Sequence, residues 1–364
     1  MTRSSLFNPA VLALMVAVAL PIACGDSEED DDGGGRGGRA GSAGQAGAGG
    51  LAGSAGAGGS GGTGGSAAGS GGTGGGTAGT AGTGGSGGST PLCEPNTSGT
   101  GTLEERASRC GPHAVQIYEN GLADPAAYAG ATVYYPAATA TAPYPIAAFA
   151  PGWREVRDPS FVSWGWFLAS HGFVVLTFDT NSLNDVPSLR ATALTAAIDT
   201  LKAEHTRAGS PLQGKVDGTK VVLIGHSMGA GGALIAGKGN TSLKAIVALN
   251  PFATEGHTFE DITAPTLILA GEKDDLLAPP ATHARKFYNG MAASTKKAYV
   301  EFDEMGHSFA NDLFTTISIE RVIPVARASA RYSLAWLKVY VVGDESYKPL
   351  IKNDPLLSVF LNTP

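Results

Sequence analysis

The chain has 364 residues, enough for one large domain or two small ones. Most of its 53 glycines lie between residues 33 and 88, and a stretch of that composition cannot bury enough apolar surface to fold. The formal net charge is −7 and no basic run stands out, which argues against a nucleic-acid partner.

Residues 1–24 are typical of an export signal. Arg3 supplies a positive charge, residues 11–20 are apolar but short for a membrane span, and small residues precede Cys24. The run "LPIAC" resembles a bacterial lipobox, in which the cysteine is lipidated, although Pro21 stands where leucine is usual. The alternative is ordinary signal-peptide cleavage with an incidental cysteine. We expect an exported protein, either a cell-surface or outer-membrane lipoprotein or a secreted one.

Residues 25–92 begin with an acidic run and continue with repeats rich in Gly, Ser, Ala and Thr. Their irregular spacing and lack of proline within the Gly-rich part argue against collagen and predict a disordered linker. Residues 93–364 are predicted to form one domain. Its two cysteines, Cys93 and Cys110, most simply form one disulfide in an exported protein. Because two thiols without a nearby His pair make a poor metal site, we expect no metal.

From Val115 onward, apolar runs alternate with segments that are compatible with helices. "AVQIYEN" and "ATVYYP" alternate like paired antiparallel strands, whereas later runs such as "GFVVLTFDT" and "APTLILAG" are uniformly apolar, as in strands covered on both faces. This alternation predicts an α/β domain with a mostly parallel central sheet flanked by helices. Helices are predicted over 161–170, 188–205, 228–237, 280–290 and 326–342.

Ligands of such sheets bind beyond the carboxyl ends of the strands. The residues just past each apolar run are therefore the candidates for a site. They are Gly152, Trp153, Asp179, Ser227, Asn250, Pro251, Phe252, Asp274, Asp275 and His307.

One of these positions lies within the pattern G-x-S-x-G, in "VVLIGHSMGAGGAL". In this pattern a serine occupies a strained strand-to-helix turn that exposes its hydroxyl, and side chains at Gly225 and Gly229 would collide across the turn. The helix that follows favours developing negative charge at its amino end. The pattern alone is weak, since glycine and serine are common in turns. The buried strand before it and the helix after it favour Ser227 as a nucleophile over a structural turn.

A serine hydroxyl needs a base to take its proton, and the chain order for this architecture is serine, acid, histidine. Three histidines follow Ser227. His283 falls inside a predicted helix and His257 lies in a loop, where it is more simply a solvated side chain. His307 comes just past the last predicted strand, where a loop can carry it over the serine. We favour His307.

The acid is expected in "AGEKDDLLAPP", which ends another predicted strand and offers Asp274 and Asp275. One carboxylate would orient the imidazole and stabilise its charged form. Adjacent side chains point in different directions, so the other is a solvated turn residue or a helix cap. Spacing within the run leaves both open.

Several segments together resemble the bacterial cutinase and polyester-hydrolase family. They include "WFLASHGFVVLTFDTNSLNDVPSLRATALTAAIDTL", "KVDGTKVVLIGHSMGAGGAL" and "KAYVEFDEMGHSFAND", and the resemblance covers residues 110–361. Members of this family are α/β-hydrolases related to dienelactone hydrolases, and some attack poly(ethylene terephthalate). We expect a monomer that needs no cofactor and takes an ester or polyester as its partner, and that contacts a membrane only through the lipid anchor that the lipobox-like run predicts.

Carried over by position, the resemblance implies Ser227 as nucleophile, His307 as base and Asp275 as acid. It also implies an oxyanion hole made by the backbone amides of Met228 and Trp153. By the same analogy, four side chains line the substrate groove: Trp153, Phe252, His226 and Leu277.

The chain departs from the family in four ways. Trp153 and Phe252 replace the usual Tyr and Trp, and the disulfide near the carboxyl terminus is missing. The segment 307–332 is longer than usual, so an extra loop is expected near the site. The lipobox-like start and the glycine linker are atypical.

Three functions are consistent with these observations. The first is a serine esterase that acts on short- and medium-chain esters and on polyesters including PET. The second is a small-ester or lipid esterase without polymer activity. The third is a surface binding protein that kept the fold and lost activity, which the intact Ser, Asp and His argue against.

Overall fold

The computed structural model describes residues 99–363, apart from Asp124, 138–140, Glu255 and 312–318. The predicted export signal with Cys24, the linker and Cys93 lie outside the described residues, as does part of the long segment after His307. The division of the chain into signal, linker and catalytic domain therefore stays a prediction.

Within the described residues, nine strands form a single mixed sheet in the order β1-β2-β4-β3-β5-β6-β7-β8-β9. The strands are β1 (Val115–Tyr118), β2 (Gly130–Pro136), β3 (Tyr144–Ala150), β4 (Val174–Asp179), β5 (Val216–His226), β6 (Leu243–Leu249), β7 (Thr266–Gly271), β8 (Lys297–Phe302) and β9 (Leu357–Thr363). Six neighbouring strands are mutually parallel: β4, β3, β5, β6, β7 and β8. The strands β1, β2 and β9 pair antiparallel at the two edges of the sheet. The predicted mostly parallel sheet and the antiparallel pair β1–β2 are confirmed.

Helices connect the parallel strands. They are α1 (Leu103–Ala107), α2 (Arg157–Ser160), α3 (Val162–Ser170), α4 (Pro187–Glu204), α5 (Met228–Gly237), α6 (Ala284–Gly290) and α7 (Ile319–Leu337). A π-helical turn, Lys338–Val342, extends α7, and a 3₁₀ helix follows at Glu345–Leu350. Among the helices that the structure describes, none combines the length and apolarity needed to cross a bilayer.

The predicted helices are present, with shifted ends at two of them. α6 begins at Ala284 rather than 280, after Pro279 and Pro280. α7 begins before its predicted start and contains Pro324, although proline usually interrupts a helix because it lacks the N–H donor.

The central strand β5 shows why the sheet is covered on both faces. Successive side chains of a strand point to opposite faces, so Val222 and Ile224 join one core and Val221 and Leu223 join the other. The first core includes side chains of α3 and α7, and the second includes side chains of α4, α5 and α6. Helices therefore flank both faces, as the uniformly apolar runs predict.

Two elements had no clear signal in the sequence. β9 is an edge strand that is only half-buried, so it lacks a long apolar run, and it pairs antiparallel with β8. α1 is short, but its start is fixed by a capping box in which Thr102 and Glu105 each bond the other's backbone N–H.

The strand register brings the carboxyl ends of the parallel strands to one edge of the sheet. Ala150 of β3 pairs with Gly225 of β5, and His226 of β5 pairs with Leu249 of β6. On the far side, Gly271 of β7 pairs with the last residue of β8. Loops leaving β3, β5, β6, β7 and β8 therefore meet, and all the candidate site residues but Asp179 lie at these ends.

A matched pair of substitutions on α4 tests the packing. Leu201→Ala should lower the free energy of unfolding by about 2–5 kcal/mol, because Leu201 is 0 % exposed and its removal leaves a cavity. Leu189→Ala, at a side chain that is 53 % exposed, should change it by less than about 0.5 kcal/mol. Urea unfolding followed by circular dichroism measures both, and equal losses would contradict the arrangement of α4.

Candidate active site

Ser227 occupies a strained turn between β5 and α5. Its backbone has φ +54° and ψ −120°, a region that residues with a side chain rarely adopt. The strain is held by three hydrogen bonds: the N–H of Ser227 donates to the Leu249 carbonyl at 2.9 Å, and its carbonyl accepts from the N–H groups of Gly231 and Phe252 at 3.0 Å each. The predicted strand-to-helix turn is present.

Gly225 and Gly229 flank the serine at positions where neighbouring backbone atoms leave no room for a Cβ. A Cβ on Gly225 would lie well inside 3.0 Å of the Gly229 backbone, and one on Gly229 would meet the carbonyl oxygen of Ala150 as closely. The predicted collision across the turn is confirmed for Gly225, and Gly229 is also pressed against the end of β3. Larger side chains at either position would force the turn away from its neighbours.

Ser227, His307 and Asp274 form a chain of hydrogen bonds at the carboxyl ends of β5, β8 and β7. Ser227 Oγ lies 2.8 Å from His307 Nε2, and His307 Nδ1 lies 2.5 Å from Asp274 Oδ2. Because the carboxylate can only accept, Nδ1 carries the proton and Nε2 is left to accept from the serine hydroxyl. This tautomer is the one that a general base needs.

The prediction that Asp275 contacts the histidine is wrong. Asp274 is 3 % exposed and faces His307, whereas Asp275 is exposed. A tight turn after β7 sets this direction: the Asp274 N–H donates to the Gly271 carbonyl at 3.2 Å, and Asp274 Oδ1 accepts from the Ala278 N–H at 3.1 Å. The family spacing that selected Asp275 does not determine which of two adjacent side chains points inward.

Of the three candidate histidines, it is His307 that bonds the serine hydroxyl. His283 precedes α6 and stacks on the ring of Phe252, with centroids 5.0 Å apart and an interplanar angle of 15°. Burial lowers the pKa of His283, which favours the neutral ring in this stack. His257 stacks on Phe259 instead.

The two residues predicted to form an oxyanion hole both lie beside Ser227. Met228 is the first residue of α5, and the first amides of a helix have no acceptor within it. Trp153 belongs to the 151–153 loop that follows β3. A Cβ on its neighbour Gly152 would lie 2.8 Å from the Cβ of Ser227, so this loop passes directly next to the serine.

The predicted groove side chains divide into an apolar rim and one buried residue. Trp153 is 39 % exposed and its indole N–H donates to Asn184 Oδ1 at 2.8 Å, while Leu277 is 52 % exposed. Phe252 is half-buried, with its N–H bonded to the Ser227 carbonyl. The prediction that His226 lines the groove is wrong, because its side chain is 0 % exposed and lies below the site.

Beneath the site is a buried polar network that the sequence did not reveal. Glu155 Oε2 lies 2.9 Å from His226 Nδ1 and accepts from the Gly152 N–H at 2.6 Å, and Glu155 Oε1 accepts from Asn311 Nδ2 at 3.0 Å. His226 Nε2 lies 3.0 Å from the carbonyl oxygen of His307. The one sequence signal was a glutamate shortly after the end of β3, which reads as an ordinary loop residue.

The network perturbs both of its ionisable members. Burial raises the pKa of the Glu155 carboxyl, but the neighbouring His226 and the hydrogen bonds outweigh this and hold it below its usual value. Burial lowers the pKa of His226, and the Glu155 carboxylate outweighs this and raises it. The pair therefore favours a charged histidine and a charged carboxylate.

Two arginines fix loops around the site. Arg190 of α4 is fully buried, and its guanidinium donates to the carbonyl oxygens of Pro151 and Asp185 at 2.9 Å each. Burial lowers its pKa to about 10, so it stays charged at neutral pH. The second arginine, Arg157, donates its backbone N–H to the candidate residue Asp179 at 2.8 Å, and its guanidinium pairs with the same carboxylate. Asp179 therefore fixes a loop rather than joining the Ser227 site.

Within the described part of the chain, the acidic cluster with metal-ligand spacing is Glu272, Asp303 and Glu304, whose carboxylate oxygens lie within 4.8 Å of one another. The ammonium of Lys273 lies 3.4 Å from Glu272 and 3.5 Å from Glu304 and offsets part of their charge. Exposed carboxylates of this kind do not by themselves define a metal site.

The sheet order, the strained turn at Ser227 and the aligned Asp274 and His307 place the protein among the α/β-hydrolases. The family model described as "PETase: PET hydrolase-like" matches residues 96–360. The chain therefore belongs to the PET hydrolase-like family.

Three relatives are similar over most of the chain. The bis(hydroxyethyl) terephthalate hydrolase of Streptomyces coelicolor is 34 % identical over 66 % of this chain and 71 % of its own length. Cutinase est1 of Thermobifida alba is 34 % identical over 72 % of this chain and 78 % of its own. Cutinase cut1 of Thermobifida fusca is 34 % identical over 74 % of both chains. All three relatives are named as ester hydrolases.

Proposed function

We propose that this protein is a serine carboxylic-ester hydrolase of the cutinase type, acting through an acyl-enzyme on short- and medium-chain esters and on polyesters including PET. The observation that carries the proposal is the pair of contacts through His307, 2.8 Å to Ser227 Oγ and 2.5 Å to Asp274 Oδ2. The names of the relatives, cutinases and a terephthalate-ester hydrolase, support the substrate class.

In the first half of the reaction, Ser227 Oγ attacks the ester carbonyl carbon while His307 Nε2 takes the hydroxyl proton. The resulting imidazolium donates from Nδ1 to Asp274, whose charge stabilises it. When the tetrahedral intermediate collapses, the bond from carbon to the leaving oxygen breaks, and His307 returns its proton to the departing alcohol. The acyl group remains on Ser227.

The negative oxygen of the tetrahedral intermediate needs donors that are already in place. The N–H groups of Met228 and Trp153 would supply them, one from the start of α5 and the other from the 151–153 loop. Such a donor is typically worth about 2.7–4 kcal/mol of transition-state stabilisation. Arg190 supports this arrangement by holding the carbonyl of Pro151 at 2.9 Å.

In the second half, water replaces the alcohol. His307 Nε2 removes a proton from the water as its oxygen attacks the acyl carbon, and then returns that proton to Ser227 Oγ as the acid is released. Both halves use the same atoms of the chain, so neither half requires a cofactor.

The rim of the site supports an apolar acyl or aromatic substrate. Trp153, Phe252, Leu276 and Leu277 offer aromatic and aliphatic surface, and Leu276 is almost fully exposed. The guanidinium of Arg154 lies 5.4 Å from the centroid of the Trp153 ring and is the charged group beside this surface that the structure describes. Aromatic rings offer large flat surfaces for a diacid unit. A polymer requires an open groove, whereas a small ester or lipid requires only a pocket, so activity on a polymer film compared with activity on a soluble ester distinguishes these two substrate classes.

We also propose that the protein is exported, with Cys24 as the lipid-bearing first residue and residues 25–92 as a tether. Cys110 is buried in the core beside α3, and we propose that it pairs with Cys93. A disulfide there would tie the end of the tether to the domain.

The triad predicts a clear order of losses in hydrolysis of p-nitrophenyl butyrate. Ser227→Ala and His307→Ala should each lower kcat by about 10⁶-fold, and Asp274→Ala by about 10⁴-fold. Asp275→Ala, one residue away and exposed, should leave kcat within about 3-fold of the wild type. A fluorophosphonate should label Ser227 stoichiometrically. A larger loss from Asp275→Ala than from Asp274→Ala would refute the assigned acid.

The polymer assignment predicts different losses on different substrates. Phe252→Ala should reduce release of terephthalate products from an amorphous PET film more than it reduces turnover of p-nitrophenyl butyrate, because a polymer contacts more of the rim. Leu361→Ala, an exposed apolar side chain on β9, serves as the control and should change neither. Equal losses, or no film activity in the wild type, would leave the small-ester function.

The amino terminus and the cysteines are tested on the mature protein from its native host. Mass spectrometry should find an acylated Cys24 at the amino terminus, and the protein should partition into detergent.

Thiol titration of the unfolded, unreduced protein should find no free thiol. Cys110→Ser should lower the free energy of unfolding by about 3 kcal/mol. An unmodified terminus elsewhere, or two titrating thiols, would contradict these assignments.

A further inference from the structure

The buried ring of His226 is enclosed by two hydrogen-bond acceptors. Its Nδ1 lies 2.9 Å from Glu155 Oε2, and its Nε2 lies 3.0 Å from the carbonyl oxygen of His307. A carbonyl oxygen and an ionised carboxylate can only accept, and a neutral imidazole carries a single N–H. Both contacts are hydrogen bonds only if both ring nitrogens are protonated.

The surroundings of Glu155 favour its ionised form. Its Oε2 accepts from the Gly152 N–H at 2.6 Å and its Oε1 from Asn311 Nδ2 at 3.0 Å, so both oxygens already face donors. If the proton were on Glu155, Oε2 would have to donate to His226 while it accepts from Gly152. The donors therefore favour the carboxylate, with the proton on the ring.

The other charged and titratable groups that act on this pair agree with that assignment. The carboxylate of Asp274 favours a charged His226, and the guanidinium of Arg190 acts electrostatically with the Glu155 carboxylate. His307 is a further titratable neighbour among the described residues, with its ring centroid 5.0 Å from that of His226. The pKa of His226 is raised and that of Glu155 is lowered, as expected of an ion pair.

We propose that Glu155 is a positioning residue that holds His226 as a buried imidazolium and thereby ties the 151–153 loop to the backbone of His307. The proposal rests on the proposed function, since it assigns these two ends to the oxyanion hole and the base. The connection runs from the Gly152 N–H through the carboxylate and the ring to the His307 carbonyl. One carboxylate thus sets the distance between the amide that would bind the oxyanion and the histidine that moves the proton.

The His307 carbonyl has a second anchor from the next strand. Asn250, just past β6, donates from Nδ2 to the same oxygen, and its Oδ1 accepts from the Gly271 N–H at 2.8 Å. Loss of the His226 bond would leave the His307 carbonyl oxygen with the Asn250 donor on one side only. Neither Glu155 nor His226 reaches the rim, so the loss should act on kcat rather than on KM.

The charge on His226 also matters to the reaction. His307 becomes cationic when it takes the serine proton, and an isolated cation with its centroid 5.0 Å away would oppose this. The Glu155 carboxylate compensates the charge of His226. Without it, His226 either opposes the charging of His307 or loses a proton and one of its two hydrogen bonds.

The protonation of His226 is measured directly by NMR of the full chain with ¹⁵N-labelled histidine. At pH 8, where an ordinary histidine with a pKa near 6.5 is neutral, one ring should show two N–H protons and imidazolium nitrogen shifts. Those signals should disappear in His226→Gln, which assigns them. A neutral His226 ring in the wild type at pH 8 would overturn the proposal, and this readout does not depend on catalysis.

The positioning role is measured by kinetics. Glu155→Gln keeps the shape and removes the charge, and we expect kcat to fall by about 10²-fold with KM changed by less than about 3-fold. The control is Glu260→Gln, an exposed carboxylate, which should match the wild type. A Glu155→Gln enzyme with wild-type kcat, or one changed in KM alone, would overturn the proposal. A wild type that hydrolyses no ester would refute the proposed function, while the NMR result still decides the state of His226.

Discussion

The close approach of backbone around Ser227 is the constraint on which the site depends. The serine keeps φ at +54° only because β3, β5 and β6 end side by side and leave no room for the turn to relax. Gly225 and Gly229 allow that approach, because a Cβ on either would overlap backbone atoms. The strain is a local cost of order 1–3 kcal/mol, and the packing of the central strands compensates for it. A serine hydroxyl is thereby fixed above a rigid sheet.

The same parallel register explains how distant parts of the chain form one site. β5, β7 and β8 end at the same edge, so short loops are enough to bring Asp274 and His307 to Ser227. Sites built at strand ends are held by the sheet rather than by the loops themselves. Here the loops are further tied by side chains that reach back beneath them, including Asn250 to the His307 carbonyl and Arg190 to Pro151.

The sequence predicted the parts of this arrangement that depend on pattern. Apolar runs located β3 to β8, and the glycine spacing located Ser227. The family resemblance selected Asp275 where the structure uses Asp274, because side-chain direction there depends on a turn in which the Asp274 N–H donates to the Gly271 carbonyl and the Lys273 N–H donates to the Met305 carbonyl of a separate segment. β9 was missed because an edge strand buries one face and has no continuous apolar run. A pattern records burial and local geometry, whereas side-chain direction in a loop depends on its tertiary contacts.

His226 is a second residue whose side-chain direction could not be predicted from the sequence. The family resemblance suggested a groove residue, but consecutive residues at the end of β5 point to opposite sides, and His226 points into the protein. A buried imidazole must have partners, since burying a polar ring without hydrogen bonds costs several kcal/mol. Glu155 and the His307 carbonyl are those partners. The buried polar groups proposed to position His307 are thus separate from the apolar side chains of the proposed substrate rim. If both proposals hold, substitutions on the rim should change substrate preference without disturbing the histidine.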